Sequence, residues 1–241
     1  MSDFFQNGNI TTLHNLSRRP VEEIEAELDK FSEQRPLSLV LPSLYSEISG
    51  PALPNIVKEL AKVSYLSEIV VGLDRANQEE YQHALGFLSA LPQPHRVLWN
   101  DGPRLQKIDE ELQSHGLAPQ ELGKGRNVWY CLGYVLASGR TESVGLHDCD
   151  IITYDKELLA RLMYPVANPQ FNYEFCKGYY SRWSEGKING RVSRLLVTPL
   201  IRTLKRVCGP LDYLEYMDSF RYPLAGEFSF RVDVINDMRI P

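Results

Sequence analysis

Leu37-Ser38-Leu39-Val40-Leu41-Pro42 is a short, apolar run with no polar alternation. A strand with one wet face alternates; a strand covered on both faces does not. The run predicts a first strand inside a sheet buried on both sides, with Ser43-Leu44-Tyr45-Ser46-Glu47 as the loop at its carboxyl end. Working outward, Ile56, Val57, Leu60 and Val63 fall at helical spacing, and Glu68–Asp74 reads as a second strand. Asn77 with Glu80 forms a capping-box pattern that opens a helix through Tyr81, Leu85 and Leu88. Arg96–Asn100 is a third strand, and Leu105 to Leu112 a further helix. The order β-α-β-α-β predicts a parallel sheet with right-handed crossovers. Ligands bind such sheets off the carboxyl ends of the strands.

The totals fit one large domain or two small ones: 241 residues, 43% hydrophobic and 24% charged. A net charge of −5 argues against a broad nucleic-acid surface, so any phosphate recognition must be local. Cys131, Cys149, Cys176 and Cys208 are far apart and form no C-x-x-C pair. That pattern favours reduced thiols over a zinc site or a disulfide framework. No apolar run approaches the ~20 residues of a membrane span. The N-terminus, Met1-Ser2-Asp3-Phe4-Phe5, has no basic-then-apolar signal pattern. The expectation is a soluble, cytoplasmic protein without nucleic-acid or membrane partners; a homodimer stays open.

Four predicted strand ends carry polar residues: Ser43–Glu47, Asp74-Arg75, Asn100-Asp101 and Asp148–Asp150. The last follows the apolar run Val144-Gly145-Leu146. On an extended chain residues i and i+2 share a face, so Asp148 and Asp150 are placed to present oxygens to one divalent cation. Mg²⁺ and Mn²⁺ prefer hard oxygen ligands, often one or two carboxylates plus substrate phosphates. A turn with two solvated carboxylates satisfies the same pattern. His147 would face the opposite way and pack in the interior rather than act as a base.

The nucleotide motifs with a fixed spacing are missing. No G-x-G-x-x-G follows the first strand, and no P-loop exists, since Gly123-Lys124-Gly125 is followed by Arg126 and lacks its upstream glycine. Gly123-Lys124-Gly125 still precedes a helix predicted from Asn127 through Ala137. Glycines admit a ligand close to the backbone, lysine is a point charge for phosphate, and helix N-termini favour anions. A plain loop with a solvated lysine is the alternative.

The flanks are coarser. Pro20 suits a helix start, with Val21, Ile24, Leu28 and Phe31 on one face. Asp155 caps a helix containing Leu158, Leu159 and Leu162, and aromatic-rich Phe171–Tyr180 reads as a strand. Gly190-Arg191-Val192-Ser193-Arg194 opens a helix on which Arg191, Arg194, Thr198, Arg202 and Lys205 share a face, with Pro199 kinking or restarting it. That face is either solvated or an anionic-substrate site. Leu224–Ser229 reads as a loop, and Ser229–Ile235 as a strand or helix. Because no element closes the molecule after Asn236–Pro241, a fragment of a longer chain is expected.

Taken in order, these motifs resemble the retaining GT-A glycosyltransferases that make glucosyl-3-phosphoglycerate. The resemblance runs from about Leu39 to the end. It is carried by Gly123-Lys124-Gly125, the helix with Trp129, Asp148-Cys149-Asp150, Lys177–Arg182, Gly190-Arg191-Val192-Ser193, Thr198-Pro199-Leu200 and Gly226-Glu227-Phe228. It implies the α/β GT-A fold, a Rossmann-like nucleotide-diphospho-sugar transferase architecture with a mainly parallel central sheet. Residues 1–36 would be an extension with a helix, 37–155 the nucleotide-sugar half, and 156–241 an incomplete acceptor half.

The resemblance also implies roles. Pro42, Leu44 and Glu47 would hold the uridine of UDP-glucose, with Asp74 near base or ribose. Gly123 and Lys124 would contact the diphosphate. Asp148 would serve ribose or the metal's water, with Cys149 beside it, and Asp150 would coordinate Mg²⁺ or Mn²⁺. Gly190, Arg191, Val192 and Ser193 would bind 3-phosphoglycerate, and Glu227 would lie near the reacting sugar. Lys124, Asp150 and Glu227 form the catalytic set, for a front-face reaction that needs no protein nucleophile. The family continues past this C-terminus with a Gly-x-Glu segment and a histidine that completes the metal site. Its relatives carry Leu-Asn-Glu-Glu where this chain has Leu44-Tyr45-Ser46-Glu47. The rival readings are a GDP-mannose or free-glycerate enzyme, a sugar nucleotidyltransferase (whose Gly-rich N-terminal loop is absent here) and a non-catalytic nucleotide-sugar-binding fragment.

Overall fold

The computed structural model of the chain describes residues 10–13, 16, 18–119, 121–180, 183–184, 187–188 and 191–238, at 183–184 and 187–188 by backbone alone. The strands are β1 (Leu37–Leu44), β2 (Leu66–Asp74), β3 (His95–Trp99), β4 (Ser143–Leu146), β5 (Phe175–Lys177), β6 (Trp183–Ser184), β7 (Lys187–Ile188) and β8 (Phe228–Arg231). The helices are α1 (Val21–Ser32), α2 (Ala52–Leu60), α3 (Gln78–Leu88), α4 (Pro103–Ser114), α5 (Lys124–Ser138), α6 (Lys156–Ala167), α7 (Thr198–Cys208) and α8 (Asp212–Ser219). The chain divides into two compact units, one of Arg19–Cys176 with Glu227–Pro241, the other of Met1–Arg18 with Lys177–Gly226.

The larger unit is built on a six-stranded sheet of order β3-β2-β1-β4-β8-β5. β1 to β4 run parallel, as the unbroken apolar runs predicted, and β8 pairs antiparallel with β4. Val40, Val70, Val144, Leu146 and Phe230 point to one face, where Val128, Cys131, Leu132 and Val135 of α5 cover them. The other face carries α6: a Cβ on Gly145 would lie 2.7 Å from Met163 Sδ. Ser229 Oγ donates to Leu162 O there (2.6 Å). α1 lies on α6, held by Tyr164 Oη donating to Glu27 Oε2 (2.5 Å) and by Lys156 to Glu25.

The strand order reverses between β1 and β4, and this is where the sheet opens. β1 pairs with β4 only from Leu37 to Val40, while its pairing with β2 continues to Leu44. His147 N donates the last bond across to Val40 O (3.2 Å). Backbone groups of alternate residues face the same neighbour, so Pro42 faces the β4 side two residues further on. β4 has ended by then, and the N–H that proline lacks has no partner to miss. A crevice therefore begins beside Pro42, at the kind of switch point where open α/β sheets bind ligands.

Three elements differ from expectation. Only Phe175–Lys177 of the aromatic stretch is strand. The segment expected as strand or helix near Ser229–Ile235 is both: β8, then a 3₁₀ turn over Val232–Asp237. α5 begins at Lys124 rather than at Asn127, so the lysine sits in the first turn of the helix and not in a loop before it.

In the smaller unit, Arg191 and Val192 begin a helical stretch that widens to a π-helical turn over Ser193–Val197 before α7 resumes at Thr198. Pro199, in the first turn of α7, explains the restart, because it cannot donate to the ladder behind it. α8 folds back on α7. Lys205 Nζ meets Glu215 Oε2 (2.7 Å) and Asp218 Oδ2 (3.1 Å), and Arg202 Nε lies 3.6 Å from Asp218 Oδ1. Arg202 and Lys205 of the expected basic face thus pair with α8; Arg191 and Arg194, at its start, are exposed. Among the described residues no helix is long and apolar enough to cross a membrane.

Gly72 tests the fit of α5 on the sheet. A Cβ there would stand 1.7 Å from Asn127 Oδ1 and 2.6 Å from Cys131 Sγ. Gly72→Ala should lower stability by about 1–3 kcal/mol through overpacking. Gly133→Ala, with nothing within 4 Å of its Cβ in the same helix, should leave stability unchanged or raise it. Urea midpoints decide, and equal midpoints for Gly72→Ala and wild type would contradict this packing.

Candidate functional site

The carboxyl edge of the parallel strands gathers the polar ends. At β1, Glu47 folds back on its own loop: its Oε2 accepts from Ser43 Oγ (2.9 Å) and Leu44 N (2.8 Å). Glu47 therefore fixes the turn that follows β1. Pro42 and Ser43 are buried and Leu44 is half-buried.

At β2, Asp74 is held by both oxygens. Asn100 Nδ2 donates to Oδ1 (2.6 Å) and Asn127 Nδ2 to Oδ2 (3.1 Å). Asn127 also reaches Gly72 O (2.9 Å) through the notch that the glycine leaves. Burial raises the Asp74 carboxyl above its ordinary range, and the two amide hydrogen bonds pull it back. Asn100 is buried with its Oδ1 unpaired among the described residues. Arg75 follows with φ +57°, a conformation that costs a non-glycine residue roughly 1–2 kcal/mol. The neighbouring backbone is fixed by Trp99 Nε1 to Ala76 O (2.7 Å), by Ala76 N to Asp101 Oδ2 (3.0 Å) and by Tyr81 stacked on Trp99 at 4.7 Å. Sequence reasoning named Asn100 only as a polar strand end and did not single out Asn127. A glycine in the middle of a buried strand, Gly72, was the available sign that something approaches closely.

At β4 the D-x-D pair lies just beyond the strand end, but the expected alternation persists. His147 and Cys149 are buried, Asp148 is half-buried and Asp150 is exposed. His147 Nδ1 bonds Tyr154 Oη (3.0 Å), and burial holds its imidazole down at about 3, so it is neutral and packed. Cys149 turns inward, where burial pushes its thiol well above the ordinary value and a hydrogen bond with the Ser43 side chain at the end of β1 pulls it partly back. Lys124 Nζ forms an ion pair with Asp148 Oδ1, so the first turn of α5 and the D-x-D segment meet across the crevice. Gly123, just before Lys124, has φ +154°, which leaves a Cβ-free approach to that turn. Glu227 is buried immediately before β8, and since Phe228 stands opposite Leu146, it lies at the same edge as the end of β4.

The donor set is chemically one-sided. The imidazole and thiol face inward and the two carboxylates outward, which suits a hard cation such as Mg²⁺ or Mn²⁺ whose other positions are filled by substrate oxygens and water. Among the described residues no three His, Cys, Asp or Glu side chains cluster as a complete metal site. In the smaller unit, Arg191 and Val192 are exposed. Ser193 is buried, with its Oγ unpaired among the described residues in the π-helical turn. Turns of that kind are frequent at functional sites. Gly190 lies outside the described residues.

No protein-family model matches the chain. The resemblance drawn from its motifs is nevertheless borne out over its whole length. The chain is 48% identical over 240 residues to glucosyl-3-phosphoglycerate synthase of Persephonella marina and 37% identical over 242 residues to the enzyme of that name from Methanococcoides burtonii. It spans 59% of the length of each. In fold it is similar to the crystal structure of glucosyl-3-phosphoglycerate synthase from Mycobacterium tuberculosis in complex with Mn²⁺, UDP-glucose and phosphoglyceric acid, with a TM-score of 0.58 and 19% identity, covering 87% of this chain and 61% of that one. The mostly parallel α/β architecture expected for a GT-A fold is thus the one observed.

The buried histidine gives a test of the edge's interior. In the unfolded chain a histidine protonates near 6.5, whereas folded His147 resists protonation down to about 3. Between those values the unfolded state binds the extra proton, so stability is complete above about pH 6.5 and declines as pH falls, by up to about 1.4 kcal/mol per unit. Urea unfolding of wild type and His147→Gln at pH 7.5 and pH 5 should show a steeper acid loss in wild type. Parallel losses would contradict the buried neutral imidazole.

Proposed function

We propose that this chain carries the nucleotide-sugar site and part of the acceptor site of a retaining, metal-dependent glycosyltransferase. The reaction is transfer of glucose from UDP-glucose to 3-phosphoglycerate, giving glucosyl-3-phosphoglycerate. The observation that carries this reading is the Lys124–Asp148 pair, a cation and a carboxylate brought together at the open edge between β1 and β4 with Asp150 exposed beside them. The identities to glucosyl-3-phosphoglycerate synthases over the full chain support it.

On this reading residues 37–155 hold the donor and residues within 156–241 contribute to the acceptor side. The Pro42–Glu47 loop and Asp74 receive the uridine, with Asp74 pre-oriented by its two amides so that no reorganisation is needed when it accepts a donor's O–H or N–H. Asp150 and Asp148 would hold Mg²⁺ or Mn²⁺, and the ion would supply positive charge against that growing on the diphosphate. Lys124 supplies a second positive charge to the same oxygens. Its pairing with Asp148 is part-exposed, worth at most about 1 kcal/mol, so opening it to receive a phosphate costs little. Glu227 lies near the reacting sugar. Arg191 and Ser193 bind the phosphate or carboxylate of the acceptor, with the guanidinium suited to a bidentate oxyanion contact. With no protein nucleophile, the acceptor's proton passes to the departing phosphate on the same face. The site works in the cytoplasm, in keeping with four unpaired cysteines.

Titration calorimetry tests the donor side. UDP-glucose should bind in Mg²⁺ and bind at least about tenfold more weakly in EDTA or to Asp150→Ala, the loss of a charge-assisted contact. GDP-mannose is the control donor and should bind more weakly. Binding indifferent both to metal and to Asp150→Ala would overturn the assignment. On the acceptor side, Arg191→Ala should weaken 3-phosphoglycerate at least about tenfold while leaving UDP affinity intact. Equal losses of both ligands would contradict the separate acceptor role.

A further inference from the structure

α4 has one buried residue, and it is a carboxylate. Of Pro103–Ser114, only Asp109 is buried, at 4% exposure, while its neighbour Ile108 is half exposed to water. A helix normally docks through an apolar stripe. This one sets a buried charge between half-buried Leu105 and Leu112, against the first turns of α5. Tyr130 Oη donates to Asp109 Oδ1, and Gln113 Nε2 donates to Oδ2 (2.6 Å). Arg126, itself only 9% exposed, places Nη2 3.9 Å from the same Oδ2 and its guanidinium 5.7 Å above the Tyr130 ring.

The start of α5 needs such an anchor. Gly123 provides no side-chain cap, and the first turn carries no acidic residue to favour its free N–H groups. Arg126 is the third helical residue and Lys124 the first. At 3.6 residues per turn, two positions are about 200° apart, so the two side chains leave opposite sides of the helix. With Arg126 fixed into α4, Lys124 is turned toward the end of β4, where it meets Asp148.

We propose that Asp109, Arg126 and Tyr130 are positioning residues of the donor site. Their buried network sets the rotation of the first turn of α5 and thereby aims Lys124 at the diphosphate. Buried ion pairs contribute little net stability over apolar packing, and a fixed geometry is what this one provides. The inference rests on the reading of Lys124 as a diphosphate contact, and it adds residues that touch no substrate.

A double-mutant cycle on the full chain tests it, with UDP-glucose affinity in Mg²⁺ measured for wild type, Asp109→Asn, Lys124→Ala and the double variant. Asp109→Asn should weaken binding about five- to tenfold and Lys124→Ala about tenfold or more, and the double variant should be no weaker than Lys124→Ala alone. Tyr130→Phe, which removes one hydroxyl from the network, should weaken binding in the same Lys124-dependent way and keeps the test open if Asp109→Asn does not fold. Wild-type affinity in both network variants overturns the proposal, and so do losses that multiply with that of Lys124→Ala. If Lys124→Ala alone binds UDP-glucose as wild type does, or wild type does not bind it, the reading of the donor site itself fails and the positioning role falls with it.

Discussion

Everything at the open edge depends on how far β1 and β4 stay together. Their ladder closes at the bond from His147 to Val40 and then stops, while β1 continues beside β2 as far as Leu44. Pro42 is tolerated just beyond that point because the N–H it lacks has no neighbour to meet. The chain beyond each strand end is then released from sheet pairing. The 3₁₀ turn Tyr45–Ser49 follows β1, and Asp148–Asp150 turns away beyond the end of β4. A longer β4 would pair across this gap and close it.

The second constraint is the seating of α5. Gly72 leaves a notch in β2, Asn127 fills it, and one amide then fixes both the helix and Asp74. From the other side Asp109 grips Arg126 and Tyr130. The helix is located by buried polar contacts at its start and by Val128, Leu132 and Val135 further along. The polar contacts set direction, because hydrogen bonds have preferred angles, and the apolar ones supply most of the favourable energy, because burial is not directional. Lys124 and Asp148 come together at the open edge with solvent around them, which suits groups that must exchange partners.

Much of the fold was legible because a parallel sheet buries both faces of its strands. Leu37–Pro42 and Glu68–Asp74 announced themselves as apolar runs, and the parallel pairing placed their polar ends on one edge. Asp148 and Asp150 stood out as carboxylates spaced i, i+2, and burial does alternate there although the strand has already ended. The aromatic stretch Phe171–Tyr180 misled because aromatics favour strands and also pack in irregular segments; Phe171 contacts Tyr164 and Tyr173 without joining the sheet. The start of α5 was placed late, since two glycines in three residues read as loop, whereas Gly123 is the boundary and Gly125 is inside the helix. Asn127 and Asp109 were missed for a common reason. Periodicity identifies which helix face is apolar, and it says nothing about a single polar residue that is buried because a partner from another element meets it. Cys149 was named for its place within D-x-D; the alternation that exposes the two carboxylates turns its thiol inward, toward Ser43 of β1.

The central claim is that the edge between β1 and β4 holds a nucleotide sugar through a hard metal ion and Lys124. Crystals of the chain grown with Mn²⁺ and UDP test it most directly, through the anomalous signal of the manganese. The predicted result is a manganese peak in contact with an Asp150 oxygen and with the diphosphate, the uridine beside Asp74, and Lys124 Nζ moved from Asp148 onto a phosphate oxygen. A nucleotide bound elsewhere, or bound here with no manganese and with Lys124 still on Asp148, would contradict it.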